Sequence, residues 1–75
     1  MYDYSKLKGR IVEILGTQKN FAEKMELSNT SIISKMAGRV DFTQGEIKKA
    51  SKILAITIEE IPEYFFKEKV QKNLT

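Results

Sequence analysis

Residues 17–38 read TQKNFAEKMELSNTSIISKMAG, and their spacing decides how the rest of the chain is read. Thr17 is a good helix N-cap, and Phe21, Ala22 and Met25 follow it at helical spacing. Glu26 and Leu27 interrupt that pattern. Ser28 supplies a second cap, and Ile32 and Met36 lie one turn apart behind it. Gly38 stands where a left-handed residue ends a helix. The segment thus predicts two helices of roughly eight residues joined by a short break. Ala22 is small where a larger side chain would hold the second helix away. Leu27 plugs the turn, and Ile32 anchors the second helix.

Upstream, Leu7, Ile11, Ile14 and Leu15 form one helical stripe, predicting a first helix from about Ser5 to Leu15. Ser5 is its expected N-cap and Gly16 its left-handed stop. Downstream, Arg39-Val40-Asp41-Phe42 reads as a connector with two apolar anchors. Thr43 and Glu46 have the spacing of a capping box, opening a fourth helix with Ile47, Ala50, Ile53 and Leu54 inward. Thr57 and Glu60 repeat that spacing and open a short fifth helix, with Pro62 tolerated in its first turn. Five short helices and brief turns predict a compact all-α domain over residues 1–66. Residues 67–75 read as a polar tail that is helical, extended or disordered.

Composition limits the function. The chain has 75 residues, no cysteine, no histidine and no tryptophan. A chain this short is one small domain. Disulfide frameworks and ordinary structural zinc sites are excluded, as are His-dependent nucleophile systems. No glycine-rich phosphate loop occurs. Glu59, Glu60 and Glu63 read as helix-start carboxylates rather than acid–base machinery. The expectation is a non-enzyme without cofactor. Met1-Tyr2-Asp3-Tyr4 lacks the pattern of a signal peptide, and no apolar run reaches membrane-spanning length. A cytoplasmic protein without membrane contact is expected. The net charge of +3 permits a nucleic-acid partner without demanding one.

The layout of residues 17–38 is that of a helix-turn-helix. Through Gln18, Phe21-Ala22, Leu27-Ser28, Ser31-Ile32 and Lys35-Met36-Ala37-Gly38, the sequence resembles the Cro/repressor-type (lambda-repressor-like, XRE) regulators of temperate phages. Its opening, Tyr2-Asp3-Tyr4-Ser5-Lys6-Leu7, and its ending, Glu59-Glu60-Ile61-Pro62-Glu63-Tyr64-Phe65-Phe66, look most like the small regulators of phages of Gram-positive hosts, the modulator-of-repression subgroup. The resemblance implies a five-helix lambda-repressor-like fold in a bacterial host cell. Two positions depart from its pattern. Glu26 replaces the usual turn glycine, and a left-handed backbone there costs a non-glycine residue about 1 kcal/mol, so a slightly differently built turn is expected. Met36 occupies a slot that often holds an acid paired with arginine, so an apolar tie is expected.

The resemblance also implies a site. With about 100° per residue, Ile32 and Met36 inward put Thr30, Ile33, Ser34 and Ala37 outward. Positions matching Asn29, Thr30, Ile33 and Ser34 lie in the major groove, where asparagine pairs with adenine and isoleucine meets a thymine methyl. Gln18 matches a phosphate-gripping position at a helix N-terminus, with Ser28 beside the same backbone. Lys19, Lys35 and Arg39 are expected to add phosphate charge. A double-stranded DNA operator is therefore one expected partner, bound as a transcriptional regulator, with a homodimer as the natural form.

The same residues leave a second reading open. Residues 17–40 carry four basic and two acidic side chains, a modest +2, and the outward face has no arginine or glutamine. Ile33 would then anchor a phage repressor protein, and the chain would act as an antirepressor. Tyr64, Phe65 and Phe66 cannot all face inward on one helix. One or two are expected to close the core, leaving at least one as a partner or dimer patch.

Overall fold

The computed structural model describes residues 2–69. Five α-helices follow one another, α1 (Ser5–Leu15), α2 (Gln18–Met25), α3 (Asn29–Met36), α4 (Gln44–Ile53) and α5 (Ile61–Phe65). A 3-10 turn, Ile58–Glu60, precedes α5. Among the described residues there is no strand, only an isolated antiparallel bridge between Tyr2 and Glu68. The all-α, five-helix expectation is met.

Local chemistry starts each helix. Thr17, Ser28 and Thr43 are extended and accept from the backbone N–H groups of Asn20, Ser31 and Glu46. Each such cap is worth about 1 kcal/mol. Glu46 returns the contact by accepting from Thr43 N at 2.9 Å, completing the expected box. The Glu60 carboxylate accepts from Thr57 N and from its hydroxyl, both at 3.0 Å. At α1 the expectation fails by a residue or two. Ser5 is already helical, Tyr4 holds the cap position without a side-chain bond, and Asp3 accepts from Ser5 N instead.

Three helices end alike. Glu26, Gly38 and Ala55 are left-handed, at φ 60°, 81° and 53°. The next residue in each case, Leu27, Arg39 or Ile56, reaches back to Ala22, Ser34 or Ser51 at 2.8–3.0 Å. This closes the last carbonyls in the Schellman manner. The α2–α3 turn therefore keeps the left-handed conformation with a glutamate in it. The expectation of a differently built turn is overturned, because the chain reversal needs that backbone whichever side chain sits there. An exposed ion pair with Lys49 at 3.2 Å accompanies it.

The core joins Leu7 and Ile11 of α1, Phe21, Ala22 and Met25 of α2, Ile32 of α3, and Ala50 and Leu54 from α4 and its end. Phe42, Ile56, Tyr64 and Phe65 close it, with Tyr4. Leu15, Leu27, Met36, Ile47 and Ile53 pack on it half-buried. Two inward assignments fail. Ile14, in the last turn of α1, is exposed, since the stripe continues past the elements that cover it. Val40 is also exposed, so Phe42 alone anchors the connector.

The expected tail begins inside the packed unit. Asp3 N donates to Lys67 O at 2.6 Å beside the Tyr2–Glu68 bridge. Extended pairing thus accounts for the first tail residues, and residues 70–75 lie outside the described part. No helix among the described residues is long and apolar enough to cross a membrane.

Candidate functional site

The exposed surface of α3 is set by how its inner face is held. Ile32 is fully buried and Met36 half-buried, which turns Asn29, Thr30, Ile33 and Ala37 outward. Ser34 is half-buried. The buried Ala22, 2% exposed, lets α2 approach α3 closely. Ser28 Oγ accepts from Ser31 N at 3.0 Å, so this hydroxyl is spent on the cap although its residue is exposed. Asn29 and Thr30 stand in the open first turn.

Beside α3 lies an open groove of ≈490 Å³. Ile33, Met36 and Ala37 form one wall, and Tyr2, Tyr4 and Ser5 the other. Gln18, half-buried at the start of α2, also lines it, with Lys8 and Lys69. Ile33 is 45% exposed, so the groove carries an accessible apolar residue. Local sequence reasoning placed Ile33 on the surface but missed the groove, because its second wall comes from the N-terminal segment.

The expected cations separate into two kinds. Lys19 and Arg39 are exposed and remain open to an anionic partner. Lys35 is not. It is only 8% exposed, and its ammonium lies 3.0 Å from Glu46 Oε1. It also donates to Asp41 O at 3.2 Å and sits 6.0 Å from the centre of the Phe42 ring. The expected surface phosphate charge at Lys35 does not fit this geometry. Met36 makes the expected apolar tie by packing half-buried on the core, and an ionic tie runs beside it from Lys35 to the start of α4. Burial would raise the Glu46 carboxyl, but the bonds from Thr43 N–H and the Lys35 ammonium outweigh it and hold it below the ordinary value.

The aromatic ending divides as the helix geometry requires. Tyr64 and Phe65 are buried and Phe66 is 46% exposed. Tyr2 packs edge-on to Phe66 with ring centres 5.7 Å apart. Tyr4 meets Phe42, and Phe42 meets Phe65, each at 5.5 Å and near-perpendicular. Such edge-to-face pairs each add about 0.5–1.5 kcal/mol beyond their area. The groove wall formed by Tyr2 and Tyr4 is thereby tied to the core. Among the described residues, no group of three acidic, histidine or cysteine side chains is arranged to hold a metal ion.

Comparison with known proteins gives a family and a structural likeness. A family model described as a protein of unknown function (DUF739) matches residues 1–68. The chain is also similar to the solution structure of the modulator of repression (MOR) of the temperate bacteriophage TP901-1 from Lactococcus lactis. Identity is 44%, the match covers 93% of this chain and 95% of that chain, and the TM-score is 0.80. No curated protein matches.

Proposed function

The chain belongs to the family described as a protein of unknown function (DUF739), and from that membership and its similarity to a phage modulator of repression we propose that it modulates repression in a temperate phage by contacting the repressor protein through its α3 surface. One observation carries the choice of a protein contact. Ile33 is 45% exposed on the wall of an open groove, while Lys35, the nearest cation on the same helix, is withdrawn into an internal ion pair. An apolar residue beside a concave surface suits a protein anchor. A phosphate-gripping helix would keep its cation free. The reading assigns no catalysis and needs no cofactor. It places the protein with its repressor in the host cytoplasm.

A second reading is favoured by a different feature. Asn29 and Thr30 are exposed in the first turn of α3, with Lys19 and Arg39 also exposed. These features suit a helix-turn-helix operator reader of Cro type, in which Gln18, Lys19, Ser28 and Arg39 would face backbone phosphates and Asn29, Thr30, Ile33 and Ser34 base edges. The Tyr2–Phe66 face would then be the homodimer patch. Co-purification with the phage repressor, beside a gel shift on the DNA upstream of the protein's own gene, separates the two readings. Repressor capture without DNA retention supports the first. Salt-dependent DNA retention without capture replaces it by the second.

A further inference from the structure

We propose that Lys35 is a positioning residue for the α3 docking surface, fixing the width of the groove from behind rather than touching the partner. The proposal rests on the reading that this surface is where the partner binds. Its ammonium has three donor directions and three partners of different origin: Glu46 Oε1 on α4, the Asp41 carbonyl in the connector, and the Phe42 ring. Each partner fixes something different. Glu46 is itself held by Thr43, so the bond ties α3 to the start of α4. Asp41 O ties down the connector that begins at Gly38 and Arg39, whose N–H groups close on Lys35 O and Ser34 O at 3.0 Å. Phe42 contacts Tyr4, and Tyr4 lies 6.3 Å from Tyr2, so this aromatic chain leads to the opposite wall of the groove.

One side chain therefore connects both walls. Ile33, Met36 and Ala37 move with α3, while Tyr2 and Tyr4 move with the aromatic chain. Buried pairs of this kind contribute little net stability compared with apolar replacements of similar size. Their effect falls on geometry instead. Removing both charges together should leave the fold standing and loosen the placement of α3 against the connector.

The test uses the full chain carrying Lys35→Met with Glu46→Gln, which leaves no unpaired charge and keeps an acceptor for Thr43 N–H. Lys35→Arg serves as the variant that retains the donors. Amide hydrogen exchange reads the connector directly, and binding to the phage repressor reads the surface. In the double variant, exchange at Gly38 and Arg39 should quicken about tenfold and repressor binding weaken about tenfold, at an unchanged melting temperature. Lys35→Arg should keep both close to the wild-type values. Unchanged exchange and binding in the double variant overturn the proposal. A loss of binding that only follows a loss of melting temperature also overturns it, since that marks a structural role alone. Should the wild-type chain fail to bind the repressor, the functional reading falls, and the exchange measurement still decides whether Lys35 positions α3.

Discussion

The guanidinium of Arg10 on α1 closes the C-terminus of α4, its Nε donating to the Leu54 carbonyl at 2.8 Å. A second nitrogen donates to Ala55 O at 3.4 Å, and a third lies 3.1 Å from Glu13 Oε1. The last carbonyls of a helix lack intrahelical partners, and cations are favoured there. A first-helix residue thus satisfies the end of the fourth. Replacing Arg10 by Met should cost about 1.5–3 kcal/mol, read from the denaturant midpoint. Lys cannot reproduce the fork and should recover only part of it.

Two left-handed residues hold a reserve of stability. Glu26 and Ala55 carry positive φ without being glycine. That conformation costs an ordinary L-residue about 1–2 kcal/mol, partly offset by the extra unfolded-state freedom of glycine. Glu26→Gly and Ala55→Gly should each raise stability by roughly 0.5–1 kcal/mol. For Glu26→Gly the lost exposed pair with Lys49 subtracts little. Chemical denaturation with an unchanged m-value is the check, and destabilisation by either variant would contradict the strain assigned here.

Acid should act through Glu46. Its carboxyl is held below the ordinary value of 4.5, so in the folded state it binds its proton less readily than in the unfolded chain. The resulting stability is present above the unfolded value and is lost as pH falls through the folded one. Melting temperature should therefore fall below about pH 4.5, and Glu46→Gln should flatten that part of the curve. A Glu46→Gln profile parallel to the wild type would show that the Lys35 pair contributes nothing to it.

The outer face of α3 should be separable from the fold. Ile33→Asp alters an exposed position and should change stability by no more than about 0.5 kcal/mol. Asn29→Ala, by contrast, should leave repressor contact intact. If the chain reads an operator, that variant should instead cost about 1–3 kcal/mol in DNA affinity and relax one base position.

Much of this was legible locally. Thr17, Ser28, Thr43 and Gly38 carry their own chemistry, so helix starts and one helix end follow from neighbouring residues. That Tyr64, Phe65 and Phe66 cannot all be buried follows from helical periodicity alone. What failed was long-range. Ile14 continues a correct stripe, but whether a stripe is covered depends on elements far along the chain. Lys35 lies three residues after buried Ile32, a position whose long stem can reach inward, and Glu46 is a visible capping residue. Nothing in local spacing joins the two. Arg10 reaching Leu54, and Tyr2 walling the groove opposite Ile33, are likewise products of tertiary packing. The site was therefore readable on its α3 side and invisible on the other.

The most direct test of the central claim is a titration of the purified protein against the phage repressor, with wild type and Ile33→Asp compared. Docking through Ile33 predicts saturable binding by the wild type and none by Ile33→Asp, with both proteins melting alike. Equal binding by the two, or no repressor binding beside salt-dependent retention of promoter DNA by the protein alone, would contradict it.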